Sequence, residues 1–85
     1  MTTNKLLKKL KDFLGAERQA QVAKYDSIKL VLKKLKKKQN MLKDMLKKEH
    51  DAAVRKGLKK EMDVLSAQRK KGMKILKELK QARKK

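Results

Sequence analysis

Apolar residues recur through the middle of the chain in alternating three- and four-residue steps, at Ile28, Val31, Leu35, Leu42, Met45 and Ala52, with Lys38 and Glu49 occupying two polar positions of the same stripe. That spacing returns to one face of a 3.6-residue helix, so the segment predicts an amphipathic helix. Leu32, Gln39, Leu46 and Ala53 widen the stripe. A second stripe, Leu58, Met62, Leu65, Arg69, Gly72, Leu76, Leu79 and Arg83, has the same spacing but a different phase. One straight helix cannot hold both on one face. The chain is therefore expected to turn near 49–57, where Asp51 offers an N-cap for the later helix and Gly57 a stop for the earlier one.

The polar gaps in the two stripes suggest a register. A hairpin centred near Val54 sets Met62 on Leu46, Leu65 on Leu42 or Lys43, Leu76 on Leu32, and Arg69 on Gln39, so the polar positions share one layer. Centring on Gly57 would set Leu65 on Glu49 and Arg69 on Met45, a poorer match. The expected hairpin runs from about 27 to 52 against about 55 to 83, within a span of 27–83, and places Gly72 opposite Lys36 with Leu35 beside it.

Residues 1–25 read as an amphipathic helical segment. Leu6, Leu7, Leu10, Phe13 and Leu14 form its apolar side, Thr2, Thr3 or Asn4 can cap it, and Gly15 can end it. Asp26 and Ser27 offer a cap for a fresh helix, with Tyr25 and Leu30 spaced as a hydrophobic staple. Two arrangements follow: a three-helix bundle turning near 25–27, or a short helix feeding a long one from about 16 to 53. Leu30, Met41, Val64 and Ile75 lie about 100° or more from the seam and call for a cover. The N-terminal segment could supply it, or a second copy in a dimeric helical bundle; the small core favours a homodimer. In either case the fold class is all-α and the 85 residues form one small domain.

Composition then changes the picture. Lys and Arg number 28 against 9 Asp and Glu, a formal charge of +19, and proline and cysteine are absent. Without cysteine there is no disulfide or thiolate site, and without a long apolar run there is no transmembrane helix or secretory signal, so a cytoplasmic protein is expected. The lysines fall opposite the stripes in lanes: Lys29, Lys33, Lys36, Lys37, Lys43, Lys47 and Lys48, interrupted by Asp44, and Lys59, Lys70, Lys74, Lys77, Lys80 and Lys84, interrupted by Asp63. Ammonium groups about 5–6 Å apart on one helix face can neutralise successive phosphates and release counterions.

Helical lysines usually form a solvated face. Here the interleaving acids are missing, which points to a polyanion. Lysine in place of arginine argues against base readout, and Phe13 and Tyr25 are too few for a stacking platform. Double-stranded nucleic acid or structured RNA, bound without sequence preference, is the expected partner. A helical module that docks on an acidic protein or on itself through Leu30, Met41, Val64 and Ile75 is the alternative. Residues 3–14 could lie on an anionic membrane, but that face is short and lacks tryptophan. His50 sits between Glu49 and Asp51; on a helix these three successive residues point about 100° apart from one to the next and do not converge on a metal. Ser27 and Ser66 have no evident base, and no phosphate-binding glycine loop is present, so neither an enzyme nor a bound cofactor is expected. Lys38 and Arg69 fall in or near the seam, where they snorkel or, with Gln39, form a register-fixing polar layer.

Overall fold

The computed structural model describes residues 3–83. They form an all-α chain of four helices, α1 (Thr3–Leu14), α2 (Arg18–Ala23), α3 (Tyr25–Lys48) and α4 (Ala52–Arg83). The long helices α3 and α4 pair as an antiparallel hairpin, and α1 packs across both. At 32 residues, α4 is about 48 Å long and accounts for the 51 Å length of a molecule only 20 by 18 Å across.

α1 begins at Thr3, so Thr3 and Asn4 are already helical; Thr2, the other candidate cap, lies outside the described residues, as does Lys84. Leu6, Leu10 and Phe13, spaced four and three apart, turn one face of α1 into the core, where Leu10 and Phe13 are fully buried. The helix stops at Gly15, whose amide donates to the Lys11 carbonyl at 3.1 Å. The buried Gln21 closes this end, its side-chain amide donating to the Phe13 carbonyl at 3.0 Å. The Phe13 carbonyl also accepts from the Ala16 amide at 3.1 Å, so both lone pairs of this helix-end carbonyl are used.

The break before α3 falls at Lys24, which occupies the cap position with no side-chain cap bond. This corrects the expected cap: Asp26 and Ser27 are inside the first turn of α3, where Asp26 complements the helix dipole. The staple is absent too, since Leu30 is exposed while Tyr25 packs on the core. The chain is therefore the three-helix arrangement, with the short α2 added.

The turn of the hairpin is tighter and earlier than a centre at Val54. α3 ends at Lys48, three residues link the helices, and α4 starts at Ala52, so both hairpin boundaries shift toward the N-terminus. Local hydrogen bonding explains the position. The Glu49 carboxylate accepts from the amides of His50 and Asp51 at 3.2 and 3.1 Å, and Asp51 Oδ1 accepts from Ala53 and Val54 at 2.9 and 3.4 Å. Arg55 reaches back to donate to the Leu46 and Glu49 carbonyls, placing a cation at the C-terminus of α3. Gly57 lies inside α4 with open space around its Cα, so it stops nothing.

Gly72 also has other neighbours than expected. It does not face Lys36; a Cβ there would lie 2.8 Å from Leu10 Cδ1 and 3.0 Å from Leu32 Cδ2, at the meeting point of α1, α3 and α4. The core around it comprises Leu6, Leu10 and Phe13 of α1, Ile28, Val31, Leu32, Leu35 and Leu42 of α3, and Leu65 and Leu79 of α4. The polar layer forms as expected: Arg69 Nη1 donates to Gln39 Oε1 at 2.9 Å. Beyond the reach of the 12-residue α1, the hairpin continues toward its turn as a two-helix arm on which Met41 and Met45 are 55% and 50% exposed.

Candidate nucleic-acid interface

Seven-, seven- and four-residue intervals put Lys29, Lys36, Lys43 and Lys47 on one line along α3, and eleven- and seven-residue intervals put Lys59, Lys70 and Lys77 on one line along α4. In an antiparallel pair both lines rotate to the same flank of the hairpin. α1 occupies the other flank. It closes over Ile28 and Val31 on α3 and over Gly72 and Ile75 on α4, leaving the lysine flank open.

That flank forms a groove. One stretch, about 270 Å³, is lined by Lys29, Lys33 and Lys36 of α3 and by Arg69 of α4, over a floor of Leu32, Met73 and Leu76. The adjoining stretch, about 590 Å³, runs toward Tyr25 between Lys29 and the α4 residues Lys70, Lys74, Lys77 and Lys80. No Asp or Glu is among the residues lining either stretch. Seven lysines and Arg69 therefore share one concave surface about 16 Å long, and cations crowded along a concavity add their fields.

Several carboxylates are engaged outside the groove. Glu49 and Asp51 are engaged in the turn, and Glu78 meets Arg18 at 3.4 Å on the α1 side, an exposed pair that contributes little stability. Asp44 and Asp63, which interrupt the lanes in sequence, are exposed and line neither stretch, although Asp63, four residues after Lys59 and seven before Lys70, stands on the α4 line toward the arm.

Of the lysines singled out from sequence, the groove gathers Lys29, Lys33, Lys36, Lys70, Lys74, Lys77 and Lys80. Lys43, Lys47 and Lys59 are exposed farther along the same flank, on the arm. Lys37 is exposed one turn beyond Lys33 and lines neither stretch. Five groove residues lie outside the lysine lanes: Leu32, Arg69 and Leu76 belong to the apolar stripes or beside them, Tyr25 to the expected staple, and Met73 to no lane; only the packing of the hairpin brings them together. Arg69 stands between both roles, since its Nη1 holds Gln39, its Nη2 lies 3.7 Å from the Met73 sulfur, and its Nε is buried without a partner.

The four off-seam apolar residues separate. Ile75 packs on the core beside Leu14, covered in cis by α1, while Leu30, Met41 and Val64 are 60%, 55% and 44% exposed. α1 enters the groove between the hairpin helices and does not lie over their backs, which is why it covers only one of the four. His50 is exposed, and among the described residues no three His, Cys, Asp or Glu side chains converge as a metal site. Among those residues no helix is long and apolar enough to cross a membrane. No protein-family model matches the chain, and comparison with curated proteins and with solved structures finds no match.

Proposed function

We propose that this protein binds nucleic acid without sequence preference, as a cytoplasmic binding protein and not an enzyme. What supports the reading is that lysines from two different helices share one flank and line a groove with no carboxylate among its lining residues. Each ammonium placed near a phosphate releases condensed counterions, and the gain in their entropy drives binding. Lysine heads on flexible stems follow a phosphate backbone but do not fix the two-point geometry that base recognition needs.

Salt titration tests it. With about six phosphates neutralised, log affinity falls with log salt at a slope near −5 on duplex DNA or structured RNA, and polyglutamate binds more weakly at equal charge. Absence of binding to DNA and RNA at low salt overturns the proposal.

A second reading has its own observation. Met41, Met45 and Val64 leave apolar surface on the two-helix arm, suited to an acidic helix of a partner protein or, against the repulsion of its own charge, to a homodimer. Binding through that surface would resist salt.

A further inference from the structure

Contacts to a phosphate backbone make no use of an apolar floor, yet the wide end of the groove has one. Tyr25, Met73 and Leu76 line it, with Lys29, Lys77 and Lys80 at its margins, in a space of about 590 Å³, large enough for a small organic ligand. Tyr25 is half-buried on the first turn of α3, its body packed on the core, so its ring is held in place by the bundle. The ligand chemistry that suits this combination is several negative charges joined to a flat, weakly polar face. A nucleotide has both. In a duplex its base is stacked away from the protein, whereas in a loop, bulge or single strand it is available.

We propose that this end of the groove takes one unpaired nucleotide of an RNA or DNA strand, its base against Tyr25 and Met73 and the flanking phosphates on Lys29, Lys77 and Lys80. The inference rests on the nucleic-acid reading above and adds a preference to it. Among nucleic acids of equal charge, those with an unpaired base bind more tightly. The other aromatic residue, Phe13, is fully buried in α1 and takes no part, so the site accepts a single base and tolerates any sequence.

The chain has one tyrosine and no tryptophan, so a fluorotyrosine label reports Tyr25 alone. Fluorine NMR of the labelled protein is recorded with a single-stranded RNA, a duplex of equal phosphate count, and a free nucleoside triphosphate. Affinities are measured in parallel for the unlabelled protein and its Tyr25→Leu and Tyr25→Phe variants, with circular dichroism to check folding. The single strand shifts the resonance more than the duplex does. Tyr25→Leu weakens single-strand binding about tenfold with little change for the duplex, and Tyr25→Phe keeps the preference. Equal affinities and equal shifts for strand and duplex overturn the inference while leaving the nucleic-acid reading intact. Binding of the free triphosphate as tight as that of the strand, or an acidic helical peptide that outcompetes RNA for the labelled site, also overturns it. No binding to either nucleic acid at low salt overturns both.

Discussion

Gly72 of α4 and Leu10 of α1 approach so closely that a Cβ on the glycine would sit 2.8 Å from Leu10 Cδ1. A helix interior ordinarily disfavours glycine by about 1 kcal/mol relative to alanine, so its presence in the middle of α4 has to be offset by the contact it permits. Without that approach α1 would stand off from the hairpin and Leu6, Leu10 and Phe13 could not all be buried.

Two substitutions separate space from propensity. Gly72→Ala gains helix propensity but forces the buried ends of Leu10 and Leu32 to move, for a net loss of about 1 kcal/mol, and Gly72→Val loses about 3 kcal/mol. Gly57→Ala, in the same helix with nothing within 4 Å of the added carbon, gains about 0.5–1 kcal/mol. Urea midpoints of the three variants check the pair; equal effects at 57 and 72 would show that the approach of α1 is not the constraint.

The turn supplies a second expectation. Asp51 Oδ1 caps two of the free amides in the first turn of its helix, at Ala53 and Val54, so Asp51→Ala costs about 1 kcal/mol and lowers the melting temperature by about 4–8 °C. Asp51→Asn keeps an acceptor at that position and loses much less. Thermal melts by circular dichroism distinguish them.

Gln39 and Arg69 behave as a unit. Arg69→Leu leaves the half-buried Gln39 amide without its bond, and Gln39→Leu leaves the guanidinium with fewer partners than its buried Nε already lacks; each single change costs about 1–2 kcal/mol. Replacing both with leucine is close to neutral or stabilising, because no buried polar group is stranded. A double-mutant cycle in urea gives the coupling. If the layer also sets register, the double variant populates additional oligomers in sedimentation while remaining helical.

The charge of +19 opposes compaction of a thin molecule. Raising sodium chloride from about 0.02 to about 0.5 M shortens the screening length severalfold and is expected to raise the melting temperature in the absence of any partner. A flat or falling dependence would show that the lysine lanes do not destabilise the fold.

The fold class and the antiparallel hairpin were legible because two apolar stripes out of phase force a turn. The pairing of Arg69 with Gln39 was legible as well, since each is the polar gap in an apolar stripe and the two fall in one layer. The turn was legible as a window, 49–57, but not as the three residues 49–51 that form it. Asp51 was visible as a cap, but the decisive partners are Glu49 and Arg55, whose roles depend on the backbone path between the helices. The neighbours of Gly72 were not legible, because Leu10 reaches it only through the docking of α1 against the hairpin, beside Leu32. The lysine lanes could be read helix by helix, yet their sharing of one flank depends on which groove α1 fills. Tyr25 joined the groove through that same packing, and no local pattern around residue 25 signals it.

Placement of charge, and not its amount, is the central claim, and two variants of equal net charge test it. One carries Lys29→Gln, Lys36→Gln, Lys70→Gln and Lys77→Gln on the open flank; the other carries Lys34→Gln, Lys48→Gln, Lys60→Gln and Lys71→Gln, all exposed and directed away from it. The salt dependence of RNA and DNA affinity is measured for both. The first variant is expected to reduce the slope by about 3–4 and to lose most of the affinity, and the second to stay close to the parent. Equal losses in the two variants would contradict the account, because binding would then follow bulk charge with no defined surface.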